Sequence, residues 1–492
     1  MPGAIVTTRS IKLKLLLIIV MLSAATTTFA ADKLNVLFIA VDDLRTELSC
    51  YGATHISSPN IDRLAQAGTL FHRAYCQQAV CNSSRASLMT GMRPDSLKVW
   101  ELHTHFRDVC PAAVTIAQHF KDNGYHTERV GKIFHTGHGN RDDADSWSRP
   151  ARPTGGSRYS PKAQAAYQQR LREAADSTGK SLDELRRSIR GVPYEAADVE
   201  DDQLSDGAIT KTAIRILDEV GDKPFFLAVG YLNPHLPFVS PSKYWNLYDS
   251  NEIELAENPS PPKDAPAYAL TNWGELRKYH GIPTHGPLSN QQAIEMRRGY
   301  YSAVSFVDAQ IGRLLDAIES RGLRDDTIVV LWGDHGWKLG EHGMWCKHTN
   351  FELDARVPLI VSVPNQSSVR AGTYALVELI DVFPTLCELA GLDIPPLVDG
   401  RSFIDLLNNP SAQFKTTAFS QYPRRKLMGY SMRTEKHRFT IWQQRRAPYQ
   451  IEAMELYDHE IDPDENTNIV SRDTALAAKL KKKMVESGVL LQ

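Results

Sequence analysis

The chain has few cysteines and no strong excess of charge of either sign. Only six of its 492 residues are cysteine, and no two of them are spaced as Cys-x-x-Cys. This number is far too small for a fold held together by disulfides. The formal net charge is −2, which argues against a nucleic-acid-binding protein. An anionic substrate is still compatible with this charge, because a basic pocket can lie on a mildly acidic surface. The cysteines are Cys50, Cys76, Cys81, Cys110, Cys346 and Cys387.

Apolar runs long enough to span a membrane are also missing. The apolar run Leu15–Leu22 follows the basic residues Arg9, Lys12 and Lys14, and small residues follow it up to Ala30. This pattern predicts a secretory signal peptide that is cleaved after Ala30. The run is too short to cross a bilayer comfortably. We therefore expect a secreted or periplasmic protein with no stable membrane span, whose mature chain has 53 basic and 58 acidic residues.

The pattern of apolar residues predicts an α/β fold. Leu34–Val41 is a nearly continuous apolar run, typical of a buried parallel strand. Phe225–Tyr231, Thr327–Trp332 and Val357–Val363 are further predicted strands, and Met296–Leu323 is a long amphipathic helix. Strands that alternate with helices predict a large, mainly parallel central sheet flanked by helices.

The pattern changes after about Gly400. Short predicted strands, Tyr430–Thr434 and Arg438–Trp442, come before a final helix near Ala475–Glu486. We interpret this part as a small α+β C-terminal domain. The predicted division of the chain is a signal peptide at 1–30, a catalytic domain at 31–400 and the C-terminal domain at 401–492.

Two polar stretches look like surface insertions in the catalytic domain. The first, from about Asn140 to Asp206, is rich in charge, and the second, Leu236–Pro287, is dense in proline and aromatic residues. Long loops at the carboxyl edge of a sheet usually shape access to a substrate site. We expect these two insertions to set substrate choice.

Polar residues follow several of the predicted strands directly. Chemistry in open α/β sheets gathers beyond the carboxyl ends of the strands, so a shared site is expected at this edge. The residues in question are Asp42, Asp43, Lys132, His135, His235, Asp334 and His335.

Asp42 and Asp43 favour a metal site. Adjacent carboxylates repel each other, so a cation should lie beside them. Calcium or magnesium fits, because hard cations bind several oxygen ligands. A turn or a helix N-cap is the structural alternative. Asp334 and His335 repeat the same placement on another strand, which favours the metal.

Cys81 begins a second group of candidates. The segment Cys81–Arg85 leads into a short predicted helix that ends at Gly91. Backbone N–H groups and the helix dipole favour an anion at such a helix start. The structural alternative is a half-cystine near Cys76.

The remaining candidates are basic. Lys132 and His135 follow a predicted strand, and Lys347 follows the glycine-rich segment Gly333–Gly343, where the backbone can approach a ligand closely. His235 lies in a rigid, proline-flanked loop that suits an acid or base. Taken singly, the lysines could be surface residues and the histidines ordinary loop residues.

Together these motifs resemble the formylglycine-dependent sulfatase family. The resemblance spans about Asn35 to Glu465 and implies an alkaline-phosphatase-like α/β fold. Within the family, several stretches are similar to iduronate-2-sulfatases, namely Arg93–Asp95, Gly131–His135, Pro234–Phe238, Asp334–Gly343 and Met428–Thr434.

The resemblance implies one Ca²⁺ held by Asp42, Asp43, Asp334, His335 and the modified residue 81. In this family a maturation enzyme oxidises the motif cysteine to formylglycine, and the hydrated aldehyde attacks sulfur. Conversion of Cys81 would leave five cysteines, so at least one would be free.

The resemblance also implies roles for the basic residues. Arg85 would steady the hydrated aldehyde, and Lys132 and Lys347 would bind sulfate oxygens. His135 would orient the formylglycine diol. His235 would contact the sulfate and help to protonate the leaving alcohol. A metal and cations of this kind stabilise the charge that builds on the oxygens during ester cleavage.

One position departs from the family pattern. The third motif residue is usually proline and is Ser83 here, a change that bears on how the maturation enzyme reads Cys81. The tripeptide Asn82–Ser84 also fits an N-glycosylation sequon. We discount the sequon, because a glycan there would block the pocket.

We therefore predict a calcium-dependent sulfatase with an exo preference for 2-O-sulfated uronic acid residues of sulfated polysaccharides such as glycosaminoglycans. Three alternatives stay open. The first is a sulfatase for other sulfated polysaccharides, including algal ones. The second is a phosphatase or phosphodiesterase of the same fold, which would need a second metal for which the chain offers few ligands. The third is an inactive glycan-binding homologue.

Overall fold

The structure is a computed structural model that describes residues 1–3, 33–221, 223–366 and 372–490. The predicted signal peptide lies almost entirely outside these ranges and stays a prediction. From Leu34 onward the chain forms one compact unit. Within the described ranges, no helix is both long and apolar enough to cross a membrane.

Sixteen strands and fourteen α-helices make up the described chain. The strands are β1 (Asn35–Val41), β2 (Thr69–Tyr75), β3 (His126–Gly131), β4 (Tyr194–Ala197), β5 (Phe225–Tyr231), β6 (Phe238–Pro241), β7 (Thr327–Gly333), β8 (Lys338–Leu339), β9 (Trp345–Cys346), β10 (Arg356–Val357), β11 (Leu359–Ser362), β12 (Gly372–Glu378), β13 (Ala418–Arg424), β14 (Leu427–Arg433), β15 (His437–Gln444) and β16 (Ile451–Asp458). The helices are α1 (Pro59–Gln66), α2 (Cys81–Thr90), α3 (Pro94–Leu97), α4 (Phe106–Val109), α5 (Ile116–Asp122), α6 (Pro161–Thr178), α7 (Leu182–Arg186), α8 (Ser205–Glu219), α9 (Ser242–Trp245), α10 (Asn290–Ser320), α11 (Glu352–Ala355), α12 (Val382–Leu389), α13 (Ile404–Asn408) and α14 (Thr474–Glu486).

The central sheet has eight strands and a parallel core. Its order is β10-β2-β11-β7-β1-β5-β3, and β12 pairs with β2. Strand β1 runs parallel to both β5 and β7, and β3 runs parallel to β5. Strand β11 is antiparallel to β7 and β2. The predicted mainly parallel α/β sheet is therefore confirmed.

Both faces of the sheet are covered, which explains why β1 is apolar along its whole length. Leu37, Ile39 and Val41 pack into one core with residues of α1, α8 and α10. Val36 and Phe38 pack into the opposite core with residues of α2, α5 and α12. A strand buried on both faces has no solvent side and therefore shows no alternation of polar residues.

Parallel pairing aligns the carboxyl ends of four neighbouring strands. Val41 is in register with Tyr231 of β5 and Gly333 of β7, and Gly131 of β3 is in register with Gly230. A Cβ on Gly131 would lie 2.0 Å from the Gly230 carbonyl oxygen, so this close approach requires glycine. The polar residues after these strands consequently meet at one edge.

A second sheet lies near the C-terminus. Its antiparallel order is β13-β14-β15-β16, and residues of α14 pack on it in a separate apolar cluster. The predicted α+β region is confirmed; the structure shows that its sheet is antiparallel and adds β13 and β16, two strands that the sequence reasoning missed. The domain boundary at residue 400 stays a proposal.

Other differences from the sequence-based prediction have local causes. The single strand predicted over Val357–Val363 is divided at Pro358 into β10 and β11, because proline has no N–H to donate to a neighbouring strand. Strands β2 and β12 were not predicted. Both carry polar residues, such as His72 and Arg73 in β2, and so lack the continuous apolar run that marks β1.

Candidate active site

The predicted site residues meet at the carboxyl edge of the central sheet. Asp42 and Asp43 follow β1, Asp334 and His335 follow β7, and Lys132 follows β3. Asp42, Asp43, Cys81 and His335 each offer a ligand atom within 4.8 Å of the others. We call these four residues the cavity cluster.

The two aspartates of this cluster are fully buried and held by different cations. Arg85 Nη2 donates to Asp42 Oδ1 at 3.1 Å, and the Lys132 ammonium pairs with the other oxygen of Asp42. Lys347 Nζ lies 3.0 Å from Asp43 Oδ2. Burial raises the pKa of Asp42, but Lys132 and Arg85 overcome this and hold it well below its usual value. Burial raises the pKa of Asp43 to about 7, against the opposing effect of Lys347.

Backbone contacts fix Asp43 in an unusual conformation. Its φ is +60°, a region that few residues other than glycine adopt. The Asp43 N–H donates to Asp334 Oδ1 at 3.0 Å, and its carbonyl accepts from Tyr300 Oη at 2.9 Å. These two hydrogen bonds hold the strained turn that points both aspartates toward the site.

His335 turns its ring nitrogen Nε2 toward the other residues of the cluster. Its Nδ1 lies 3.0 Å from the carbonyl oxygen of Gly336. A carbonyl can only accept, so Nδ1 carries a proton. Its Nε2 lies 3.3 Å from Cys81 Sγ, 3.4 Å from Asp43 Oδ1 and 3.6 Å from Asp334 Oδ2. Nε2 and the two carboxylates that it faces need positive charge between them, supplied either by a metal ion or by a proton on Nε2.

These residues could hold a metal ion. The donors are carboxylate oxygens and one imidazole nitrogen oriented by a backbone carbonyl, a usual arrangement for a metal ligand. Asp334 is also buried, and its Oδ2 accepts from Arg85 Nε at 2.8 Å. Lys132, Lys347 and Arg85 supply positive charge around the outside of the cluster.

Cys81 is the first residue of α2 and is 3% exposed. Burial raises the pKa of its thiol well above the usual value, which makes the unmodified cysteine a poor nucleophile. All six cysteines are free in the described structure, so the half-cystine alternative for Cys81 is wrong here.

Arg85 joins the two aspartate-bearing strands. It is fully buried, with its guanidinium 5.5 Å from the centre of the Trp332 ring. It bonds Asp42 and Asp334 together and also donates to the carbonyl oxygen of Ile133 at 3.1 Å. Arg85 therefore holds the carboxylates of Asp42 and Asp334 in place relative to each other.

The neighbours of Cys81 are compatible with the motif. Ser83 is fully buried and is the third residue of α2, where a backbone N–H has no acceptor within the helix. A proline there would lose no helical hydrogen bond.

Asn82 is 5% exposed, and its amide donates to the carbonyls of Glu101 and Thr104. Burial of Asn82 agrees with discounting the glycosylation sequon.

His135 and His235 lie beside the cluster in different settings. Burial and Lys132 lower the pKa of His135 to about 3, and its Nδ1 has no hydrogen-bond partner in the described structure. His235 Nδ1 lies 2.6 Å from the Leu236 carbonyl oxygen, and its Nε2 lies 3.0 Å from Glu275 Oε1. Burial and Lys347 lower the pKa of His235, whereas Glu275 and Asp42 raise it.

A cavity of about 760 Å³ opens above the cluster. Asp42, Cys81, Lys132, His235 and Lys347 line its floor and walls. The rim comes from both predicted insertions and includes Arg158, Arg190, Glu275, Lys278 and Tyr279.

Sequence reasoning missed the rim residues. Arg190 and Lys278 form no ion pair with a carboxylate within the described part of the chain, and the Arg190 N–H donates to the Lys278 carbonyl at 3.1 Å. Glu275 pairs with both His235 and Lys347. Arg190, Lys278 and Glu275 are each a single charged residue in a polar loop, so no local sequence pattern distinguishes them from surface residues.

Comparison with known proteins agrees with this geometry. The family model described as Sulfatase matches residues 34–392, and the model described as N-sulphoglucosamine sulphohydrolase, C-terminal, matches residues 340–489. Iduronate 2-sulfatase of Mus musculus is 35% identical, over 91% of this chain and 92% of that protein. The Homo sapiens protein of that name is also 35% identical, over 89% and 91%.

Solved structures share the fold. The phosphonate monoester hydrolase of Agrobacterium radiobacter superposes with a TM-score of 0.72 at 23% identity, over 92% of this chain and 95% of that one. The fold and the site together define an α/β hydrolase with a buried acidic cluster under a cavity that several basic side chains line. Within that class, the chain belongs to the sulfatase family and is a sulfuric ester hydrolase.

Proposed function

We propose that this sulfatase is exported, requires calcium, and removes 2-O-sulfate from uronic acid residues at the ends of sulfated polysaccharides. The observation that carries the proposal is the convergence of the cavity cluster under a cationic rim. The likeness to the two iduronate 2-sulfatases, which extends over about nine tenths of the chain, supports the substrate.

The cavity cluster and Asp334 would hold the calcium. When present, calcium would polarise the sulfate oxygens, and formylglycine at position 81 would supply a hydroxyl nucleophile. Lys132 and Lys347 already pair with Asp42 and Asp43 at the floor of the cavity. Their remaining N–H groups can donate to sulfate oxygens, where charge is concentrated in the transition state.

The two histidines would have different tasks. His135, with its pKa lowered to about 3, is neutral at physiological pH, so it can orient a neighbouring hydroxyl group without adding charge. His235 lines the cavity wall and would give a proton to the leaving oxygen. Arg85, enclosed by Asp42 and Asp334, would keep the carboxylates in place.

The rim supports an acidic sugar as substrate. Arg190 and Lys278 reach the cavity from different insertions without a carboxylate partner in the described structure. Their positive charge favours a substrate with an acidic group besides the sulfate that is cleaved. A uronic acid carboxylate satisfies this condition.

The test combines mass spectrometry with sulfate release. The chain is produced together with a formylglycine-generating enzyme, and the peptide that contains Cys81 is weighed. Sulfate release is then measured from a 2-O-sulfated uronic acid disaccharide, a 6-O-sulfated glucosamine and an algal sulfated oligosaccharide, with Cys81→Ala as the inactive control. We expect formylglycine at position 81 and the fastest release from the uronic acid.

Other results would identify the alternatives. An intact thiol in active protein would rule out the formylglycine mechanism. Faster hydrolysis of a phosphate ester than of its sulfate analogue would indicate a phosphatase, and faster release from the algal substrate would change the sugar. Glycan binding without sulfate release by matured protein would indicate an inactive homologue.

A further inference from the structure

Glu275 connects two of the basic residues that line the cavity. Its Oε1 lies 3.0 Å from His235 Nε2, and its Oε2 lies 3.1 Å from Lys347 Nζ. The residue follows buried Trp273 and precedes buried Leu276, which are 4% and 0% exposed. These two anchors hold the carboxylate in place within an otherwise polar insertion.

The hydrogen bonds of His235 require a proton on the nitrogen that faces Glu275. The Leu236 carbonyl, 2.6 Å from Nδ1, can only accept, so Nδ1 carries a proton. The other nitrogen, Nε2, then faces a carboxylate oxygen at 3.0 Å. An imidazole lone pair and a carboxylate lone pair repel at this distance unless a proton lies between them. The contact therefore holds a second proton at Nε2.

Other charged groups act on this pair from several elements. Lys347 lies on one side of Glu275, and His348 and Asp42 also line the cavity. The Arg158 guanidinium donates to the carbonyls of His235 and Leu236.

These groups affect the two members of the pair in opposite directions. Burial raises the pKa of Glu275, but Lys347 and His235 overcome this and hold it well below its usual value. Burial and Lys347 lower the pKa of His235, and Glu275 opposes them. Without Glu275, the imidazole would lose its proton at a still lower pH.

We propose that Glu275 is a positioning residue that keeps His235 protonated at Nε2, ready for donation to the leaving oxygen. This inference rests on the proposed function, because it assigns the acid role to His235. As a hydroxyl oxygen of formylglycine at position 81 would form its bond to sulfur and release its proton to solvent, the S–O bond to the leaving group breaks and the electron pair of that bond stays on the leaving oxygen. That oxygen takes the Nε2 proton and departs as a neutral alcohol, and the imidazole regains a proton from water.

The test measures how the rate depends on the leaving group. Glu275→Gln and Glu275→Asp are compared with the native chain on a series of aryl sulfates, from 4-nitrophenyl sulfate to phenyl sulfate. A good leaving group needs no proton, whereas a poor one does. For Glu275→Gln we expect kcat on phenyl sulfate to fall on the order of 10²-fold, with a change of no more than about threefold on 4-nitrophenyl sulfate. Glu275→Asp should recover part of the loss.

The pH profile gives a second readout. The protonated imidazole is the active form, so kcat falls as the pH rises through the pKa of His235. Because Glu275 raises that pKa, its replacement by glutamine should move this alkaline limb to lower pH. Glu257→Gln is the matched control, since Glu257 is an exposed glutamate of the same insertion.

Several outcomes would overturn the inference. Equal losses on all aryl sulfates would show a general structural role for Glu275. An unchanged kcat with tighter binding of inorganic sulfate would show that the carboxylate merely competes with the substrate. Because aryl sulfates report the acid step whatever the natural sugar, failure of the native chain on the uronic acid disaccharide would count against the proposed substrate alone.

Discussion

The cavity cluster and a second acidic group contain similar side chains but have different roles in the molecule. The second group, which we call the inter-sheet cluster, consists of Glu352, His459 and Glu465. Arg438 of the C-terminal sheet pairs with both glutamates, at 2.6 Å from Glu465 Oε1, and His459 Nε2 lies 2.9 Å from the same oxygen. Tyr75 of the central sheet donates to Glu352 at 2.9 Å.

The pKa of Asp43 separates the two clusters, whereas Asp42, like Glu352, has a lowered pKa. Burial raises the pKa of Glu352, but Arg433 and Arg438 reverse this and bring it far below its usual value. Arg438 likewise lowers the pKa of Glu465 against burial. In the cavity cluster, burial keeps the pKa of Asp43 at about 7 in spite of Lys347.

The two clusters differ in the cationic side chains that pair with their carboxylates. An arginine fork satisfies two carboxylates with fixed geometry, and it leaves the inter-sheet cluster complete. In the cavity cluster Arg85 and Lys132 lower the pKa of Asp42, but Lys347 does not overcome the effect of burial on Asp43, and the cluster lies beneath a cavity. The cavity cluster is therefore suited to bind a metal, and the inter-sheet cluster to hold two sheets together.

Asp43→Asn should give the largest effect. Replacing this carboxylate removes a charge from the proposed metal site, and we expect kcat on 4-nitrophenyl sulfate to fall on the order of 10³-fold. Stability in urea should be unchanged or higher, because a buried carboxylate with a raised pKa is removed. Retention of more than a tenth of the native kcat would show that the cavity cluster does not depend on Asp43.

Glu465→Gln should have the opposite pattern. The substitution removes one of the two carboxylates that pair with the buried Arg438 guanidinium. Breaking such a buried pair costs about 3–5 kcal/mol of unfolding free energy. Urea denaturation measures this loss, while kcat of the folded variant should stay within about threefold of native. Glu460→Gln, which affects an ion pair with Lys436 that is more than half exposed, is the control and should change stability little. A loss of activity in folded Glu465→Gln would contradict the distinction between the clusters.

Calcium should stabilise the folded protein by binding at the cavity cluster and not at the inter-sheet cluster. A ligand at 100 times its dissociation constant stabilises the folded state by about 2.7 kcal/mol, so calcium should raise the melting temperature of chelator-treated protein. Differential scanning calorimetry should show this increase in the native chain and in Glu465→Gln, and its absence in Asp43→Asn. An increase of equal size in all three would locate calcium elsewhere.

Much of the fold and of the site could be predicted from sequence. Apolar strands that end in polar residues, as β1 does at Asp42 and β7 at Asp334, indicate both the parallel sheet and the edge where ligands meet. Strand β2 was not predicted, because its sequence is partly polar and its burial depends on the neighbouring strands of the sheet. The inter-sheet cluster escaped too, since Glu352 and Glu465 lie far apart in sequence and only the packing of two sheets brings them together.

Glu275 shows a different limit of sequence reasoning. Its loop has no periodicity, and its two partners, His235 and Lys347, lie 40 and 72 positions away in the chain. The segment could be recognised as an insertion near the substrate site. The identity of the residue that reaches His235 depends on how Trp273 and Leu276 pack, which local pattern does not reveal.

Glu455→Gln should give the smallest effect and sharpen the comparison. Glu455 is buried in the C-terminal sheet and forms no ion pair within the described part of the chain. It accepts from Trp442 Nε1 at 2.6 Å and Tyr457 Oη at 2.7 Å. Burial raises its pKa to about 7, although these two hydrogen bonds oppose the shift. Because the folded pKa exceeds the unfolded value, its contribution to stability is complete below about pH 4.5 and is lost as the pH rises through 7.

Urea denaturation between pH 5 and pH 8 tests this expectation. One such group changes the unfolding free energy by at most about 1.4 kcal/mol per pH unit, and Glu455→Gln should remove that slope. The arginine-paired Glu352 should add no slope in the same range, because its pKa lies far below it. Equal pH profiles for native and Glu455→Gln protein would mean that Glu455 is ionised throughout. A buried carboxylate would then stay charged without an arginine or a metal ion beside it. The difference in pKa between the two clusters would no longer follow from the cations that lie next to them.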